Sequence, residues 1–241
     1  MKTRPSLQEF GCSRRTPFLL FERRNKMRVL GLDPSLTNFG WAIIDTDIPQ
    51  GQKGRLEDKG LWKTPAKMEF IARYMSQRDS LISLIKEKKP DFVGIEYPVF
   101  NNLFSEGMYG LFLYTCEALK ETKSDVVFWS PLQVKAHARL LIDRPKGWKM
   151  DKKDMCEAAK VDTGVGRINH NEADAYHVGR LASKFWQLYS EEITEADLNP
   201  VEKKYFLKVH TFQRGKKAGK TVKSGVMHRE SERFFLWSRG T

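Results

Sequence analysis

Arg28-Val29-Leu30-Gly31-Leu32-Asp33-Pro34-Ser35-Leu36-Thr37-Asn38-Phe39-Gly40-Trp41-Ala42-Ile43-Ile44-Asp45 is the stretch that decides how the chain is read. It consists of two short apolar runs around a polar turn. Residues 29–32 are long enough for a buried strand, and Asp33 closes it. Pro34-Ser35-Leu36-Thr37-Asn38 carries turn chemistry, and residues 39–44 form a second apolar run, so the pair reads as a hairpin. An acid that ends a buried strand is held rigidly at the sheet edge. That placement suits a metal ligand better than a solvated loop acid would.

Two later stretches repeat the arrangement. Asp91-Phe92-Val93-Gly94-Ile95-Glu96 is an apolar strand ending in Glu96, before Tyr97-Pro98. His170-Asn171-Glu172-Ala173-Asp174-Ala175-Tyr176-His177 opens a helical pattern that carries Asp174. Asn171 lies three residues earlier, on the same helix face. Taken singly, each acid has an ordinary explanation: Asp33 as a turn former, Asp174 as an acid facing the helix dipole. Two strand ends and a helix start that converge on one point are more specific. Carboxylate oxygens are the ligands Mg²⁺ takes, usually one or two with water and substrate phosphate completing the shell. Two such ions about 4 Å apart can activate a water and stabilise the leaving oxygen of a phosphodiester.

Between these stretches the chain alternates strand and helix. Lys59-Gly60-Leu61-Trp62-Lys63-Thr64 reads as a third strand, and residues 65–89 have helical spacing through Phe70, Ile71, Tyr74, Leu81, Ile82 and Ile85. That crossover makes the strand ending at Glu96 parallel to the first. A helix over 111–119, a fifth strand over 124–129 and a helix from Pro131 to about residue 141 follow. The expected fold is α/β, a five-stranded mixed sheet flanked by helices, in the order of a ribonuclease-H-like sheet.

The motifs GLDPSLTNFGWAIID at 31–45, GIEYPVFNN at 94–102, SPLQVKAHA at 130–138 and NEADAYHVGRLA at 171–182 resemble those of RuvC-type Holliday junction resolvases, in the RNase H-like superfamily, and of a bacteriophage relative among them. The resemblance runs over roughly residues 27–185. It implies a structure-selective endonuclease that cuts four-way junctions and related branched DNA by two-metal hydrolysis, with Asp33, Glu96, Asp174 and Asn171 as catalytic and metal-binding residues. The family usually carries Asp or His where this chain has Asn171, a neutral oxygen ligand. Two Mg²⁺ ions are implied, with Mn²⁺ as a substitute, and a homodimer, since a symmetric junction needs two coordinated cuts. The working place implied is the cytoplasm, that of the host for a phage-encoded member.

An aromatic residue soon after the second acid wedges into the junction in that family. Phe100 is the first candidate here and Phe104 the second; the other reading makes both core residues at the start of the next helix. Lys135 falls in a matching block and is a candidate phosphate contact. Arg139, Lys149, Lys152 and Lys153 extend a local basic strip over 135–154. Lys153 resembles a second family lysine, and Lys152 is nearly as good a match. Basic groups beside an acidic centre hold the DNA backbone, while metal ions offset phosphate repulsion.

Charge divides the 241 residues. The net charge is +12. Residues 1–28 carry +6 and residues 200–241 carry +8, leaving −2 for the middle. Basic ends around a near-neutral body are a footprint of nucleic-acid binding. The division expected is a basic N-terminal extension at 1–26, a nuclease domain at 27–199 and a basic C-terminal extension at 200–241. Residues 1–26 show no sustained period and read as a flexible basic arm, or as a stretch ahead of a start at Met27. Gly215-Lys216-Lys217-Ala218-Gly219-Lys220-Thr221 has three residues between its glycines where a phosphate-binding loop needs four. It reads as a basic hairpin or a DNA-contacting tail, with Lys216, Lys217 and Lys220 as contacts. No apolar run approaches the ~18 residues of a membrane span. Cys12, Cys116 and Cys156 form no CxxC pair and read as reduced thiols.

Two other classes compete. An ATPase of the actin/hexokinase type shares the sheet and a Gly-x-Asp opening, but it needs a second glycine-rich phosphate loop and an adenosine motif, neither of which is found. A catalytically weak junction-binding protein is made conceivable by Asn171.

Overall fold

The computed structural model describes residues 27–49, 52, 55–98, 106–145, 147–211, 213–216, 218–223, 225–228 and 234–235. Phe100, Phe104, Lys217 and the arm at 1–26 lie outside them. Strands β1 (Arg28–Asp33), β2 (Asn38–Asp45) and β3 (Leu56–Lys63) form an antiparallel meander. Helix α1 (Phe70–Lys88) then crosses over, so that β4 (Phe92–Glu96) lies parallel to β1. Helix α2 (Glu106–Glu121) makes the second crossover, and β5 (Val126–Trp129) lies parallel to β4. The five expected strands are thus present, in the order β3-β2-β1-β4-β5.

Both faces of this sheet are covered, which is why β1, β4 and β5 read as near-continuous apolar runs. Alternation along β1 sends Val29 to one face, with Phe92, Val127 and Trp129, and Leu30 and Leu32 to the other, with Val93, Ile95 and Phe128. Helices α1 and α2 cover the second face through Tyr74, Leu81, Leu111 and Leu119. The first face is covered by α3 (Pro131–Ala138), α4 (Lys152–Thr163) and, centrally, α5 (His170–Tyr189). Capping boxes fix where these three helices begin: Ser130 with Gln133, Asp151 with Asp154, and Asn169 with Glu172.

The stretch assigned from its charge to a C-terminal extension enters the core. Residues 200–206 form helix α6 (Pro200–Phe206), whose Phe206 is fully buried against Trp129 and Phe185. Glu202 reaches the His137 ring in α3 (2.9 Å). Arg180 of α5 touches the same ring (3.1 Å) and pairs with Asp162 of α4 (2.8 Å). Burial first, then Arg180, pushes His137 down to about 4, so it stays neutral. One polar network therefore joins α3, α4, α5 and α6, and a boundary drawn at 199/200 would cut through it. Net charge could not reveal this, because Phe206 and Glu202 face inward while the lysines between them are exposed. Beyond α6, the basic stretch forms the hairpin β6 (Val209–Thr211) with β7 (Thr221–Lys223). A two-residue strand, β8 (Phe234–Phe235), adds a sixth member to the main sheet, antiparallel to β5. No described helix is long and apolar enough to cross a membrane.

Candidate active site

Asp33 and Glu96 are the last residues of two adjacent parallel strands. Leu32 pairs with Ile95, so the two acids that follow emerge side by side from one sheet edge, one strand spacing of roughly 4.8 Å apart. The edge is the one at which chain direction and strand order together open a crevice in α/β sheets. Asp33, Pro34, Glu96, Pro98, Met108, Phe112 and Pro131 line a cavity of about 170 Å³ there. Two carboxylates thus share a hollow whose remaining walls are apolar. Met108 and Phe112 come from α2 and gave no signal in the sequence beyond helical spacing.

Asp174 arrives from the second turn of α5. That helix lies unusually close to the sheet because the strand residues beneath it lack side chains. A Cβ on Gly31 would collide with the carbonyl oxygen of Ala175 and lie 2.6 Å from the Gly179 nitrogen. A Cβ on Gly40 would press into the backbone of Asn171. Asn171 also ties the helix start to the hairpin, its Nδ2 donating to the Asn38 carbonyl (2.9 Å). Since one end of the amide is committed to β2, Oδ1 points the other way.

The electrostatics tie the three acids together. Burial, then Glu96, then Asp174 raise the Asp33 carboxyl well above its ordinary range. Burial and Asp174 push Glu96 up to about 8. Burial pushes Asp174 up to about 6, against the pull of Lys135 and Lys152. Lys135 also steadies Glu96, and Lys152 steadies Asp33. Lys152, rather than Lys153, is therefore the lysine whose charge reaches the centre. It begins α4 and also meets the His170 ring (3.3 Å). Lys153 is exposed at the same helix start and Lys149 in the loop before it, and Arg139 lies near Tyr205 of α6. Lys216 and Lys220 are exposed at the tip of the β6–β7 hairpin. His177, one turn beyond Asp174, is fully buried and bonded to the Met155 carbonyl (3.0 Å); burial first pushes it down to about 3.

Among the described residues, no group of three or more His, Cys, Asp and Glu side chains closes into a metal-holding cluster as it stands. The donor set nevertheless fits a hard divalent cation. Its members are acceptor-only oxygens, they repel one another, and Asp174 Oδ1 is buried without a hydrogen-bond partner. A positive charge among them would relieve all three conditions. A wider cavity of about 370 Å³, lined by Lys59, Lys160, Arg167, Asn169 and Glu172 among others, flanks the start of α5. None of its cations was singled out from the sequence, because surface lysines carry no local pattern that marks a shared cavity.

No family model matches the chain. It is 36% identical over 70 residues to the crossover junction endodeoxyribonuclease RuvC of Frankia alni, covering 29% of this chain and 34% of that protein. It is 35% identical over 75 residues to RuvC of Halothermothrix orenii, covering 31% of this chain and 44% of that protein. The matched stretch thus spans less than half the length of these curated relatives. Among solved structures, Thermus thermophilus RuvC in complex with a Holliday junction substrate superposes with a TM-score of 0.54 at 17% identity, covering 68% of this chain and 96% of that one. The Thermus thermophilus RuvC structure gives 0.53 at 18%, covering 68% and 97%. At such identities the likeness is one of fold: an RNase H-like α/β sheet.

Proposed function

We propose that this chain is a RuvC-type resolvase, an endonuclease that cuts four-way and related branched DNA with the help of divalent cations, Mg²⁺ in the first place and Mn²⁺ as a substitute. The observation that carries the reading is the meeting of Asp33, Glu96 and Asp174 at one sheet edge, close enough for each to disturb another's ionisation. Asp33, disturbed by both other acids, would be shared by two ions. Glu96 and Asp174 would each hold one, and Asn171 Oδ1 would complete the set. When bound, such ions supply an activated water and charge neutralisation at the departing oxygen. Water adds to the scissile phosphorus in line and the bond to the 3′ oxygen breaks, leaving a 5′-phosphate and a 3′-hydroxyl.

The chain's own residues do the positioning. Lys135 and Lys152, whose charges reach the acids, draw the phosphate in and orient it. The apolar wall of Met108 and Phe112 limits water beside it. Arg139, Lys149 and Lys153 extend the basic track, and Phe100 and Phe104, in the segment between β4 and α2, are candidates for opening the crossover. A two-fold dimer working in the cytoplasm completes the proposal. The exposed apolar row of Phe70, Ile71 and Met75 on α1 with Tyr109 and Leu113 on α2 supports the dimer, because α1 and α2 pack together there through Tyr74 and Tyr114.

The test is cleavage of an end-labelled four-way junction. Paired nicks are expected with Mg²⁺ and none with Ca²⁺. Binding in Ca²⁺ with no cutting under Mg²⁺ would instead favour a junction-binding protein, the reading that the neutral Asn171 keeps in view.

The basic ends, 1–26 and the stretch beyond α6, are proposed to touch DNA, through Lys216 and Lys220 at the hairpin tip and Lys217 between them in sequence. Neutralising Lys216 and Lys220 together is expected to lower the slope of log affinity against log salt by about 2, close to one for each phosphate left without its lysine. Titrations from 50 to 200 mM KCl would measure it. An unchanged slope would remove the hairpin from the interface.

A further inference from the structure

Trp148 is half exposed, at 49%, in the basic loop between α3 and α4. It is nevertheless firmly held. Its indole Nε1 donates to Asp154 Oδ2 (2.8 Å), and its backbone nitrogen donates to the Pro145 carbonyl (3.0 Å). Asp154 is itself buried and fixed: Oδ1 accepts from Arg144 Nε (3.0 Å) and Oδ2 from the Asp151 nitrogen (3.1 Å). Arg144 continues to Glu157 (2.6 Å), and its guanidinium carbon stands 5.9 Å from the centre of the indole ring. The hydrogen bond fixes the ring's edge, and the guanidinium backs one face. About half of the residue's surface stays open to solvent.

A large aromatic held in this way has given up its rotamer freedom before any ligand arrives, so a ring stacked on it costs little further ordering. Its surroundings select the ligand. Lys149 is its neighbour in sequence, and Lys152 and Lys153 open α4 directly afterwards. Lys152 is four residues from Trp148, a chain span of at most about 14 Å, and its charge reaches Asp33 and Asp174. Flat apolar surface set in positive charge, in the loop that leads into the lysine whose charge reaches the acids, is complementary to a nucleobase on its sugar-phosphate strand.

We infer that Trp148, braced by Asp154 and Arg144, is a stacking platform for an unpaired nucleobase of the branched DNA beside the scissile strand. The inference rests on the proposed nuclease reading and adds to it a base contact independent of the segment holding Phe100 and Phe104. Stacking is tolerant of sequence, so the platform serves the shape of a junction, where bases at the crossover can be splayed, rather than a particular base order.

The experiment uses the full chain and a four-way junction carrying 2-aminopurine at the crossover, in Ca²⁺. Trp148→Ala is expected to weaken binding between about 5-fold and about 150-fold, from ~1–3 kcal/mol per stacked base. It should leave the salt slope unchanged, because every phosphate keeps its cation. It should also abolish the quenching of 2-aminopurine that the parent produces. Trp148→Phe loses the hydrogen bond to Asp154 but keeps an aromatic face, and should bind within about 3-fold of the parent while still quenching. Loss of affinity and quenching in both variants alike would assign Trp148 to bracing the loop and overturn the inference. Equal affinity and quenching in parent and Trp148→Ala would overturn it too. A parent that binds no junction at all overturns the nuclease reading, and this inference falls with it.

Discussion

Asp33→Asn is expected to abolish strand cutting while leaving junction binding at least as tight as in the parent. The substitution preserves shape and removes one ionisable carboxyl from the acid cluster, where Asp33 is disturbed by both Glu96 and Asp174. Loss of the ligand that the proposal gives to both ions would take away several kcal/mol of charge stabilisation in the transition state, and each ~1.4 kcal/mol is tenfold in rate. The cleavage rate should therefore fall by at least about 10³-fold. Binding should hold or improve, because an anion has been removed from the path of the phosphate. A second readout is independent of DNA. The raised Asp33 carboxyl keeps a proton in the folded protein at pH values where the unfolded chain has lost it. Stability contributed at this position therefore falls as pH rises above the ordinary carboxylate range. In metal-free buffer the variant should melt above the parent at pH 8, with the gap closing toward pH 4. Added Mg²⁺ should raise the parent's melting temperature more than the variant's, since a ligand that binds only the folded state stabilises by mass action. Cutting at the parental rate by the variant would take Asp33 out of the mechanism.

Much of this site is legible in the sequence because it is made of strand ends. An apolar run closed by an acid fixes where the carboxylate emerges, and the crossover over 65–89 makes Asp33 and Glu96 neighbours once the strands are parallel. The features that escaped are those set by distance in space. Lys152 and Lys153 are equivalent in a string of letters, yet Lys152 is the one whose charge reaches the acids. The bracing of Trp148 depends on Asp154, six residues on, being buried while its neighbours Lys152 and Lys153 are exposed. Residues 200–206 look like part of a basic tail because charge is averaged along the chain, while Phe206 is placed by packing. The pair Phe234–Phe235 is too short to show a period, so its place on β5 has no local signature.

Gly31→Ala tests the remaining step, from close packing to the position of Asp174. Gly31 lies in the middle of β1, two residues before Asp33, and is not itself proposed to touch metal or DNA. The added methyl would meet backbone atoms, the Ala175 carbonyl and the nitrogen and Cα of Gly179, which have no rotamer by which to move aside. Helix α5 would have to lift from the sheet and carry Asp174 and Asn171 with it. Overpacking of this kind costs about 3 kcal/mol, which for a domain of this size lowers the melting temperature by roughly 6–12 °C. Well below that transition the protein is folded, and a displacement near 1 Å at the reacting centre still costs about 100-fold in rate. The variant should thus bind junctions nearly as well as the parent at 20 °C and cut them poorly, with the loss in kcat rather than KM. Gly166→Ala is the matched control, since a Cβ there meets nothing within 4 Å, and it should leave both melting and cutting unchanged. If Gly31→Ala melted and cut like the parent, α5 would not be held against β1 as described, and the nearness of Asp174 to Asp33 would lose its structural cause.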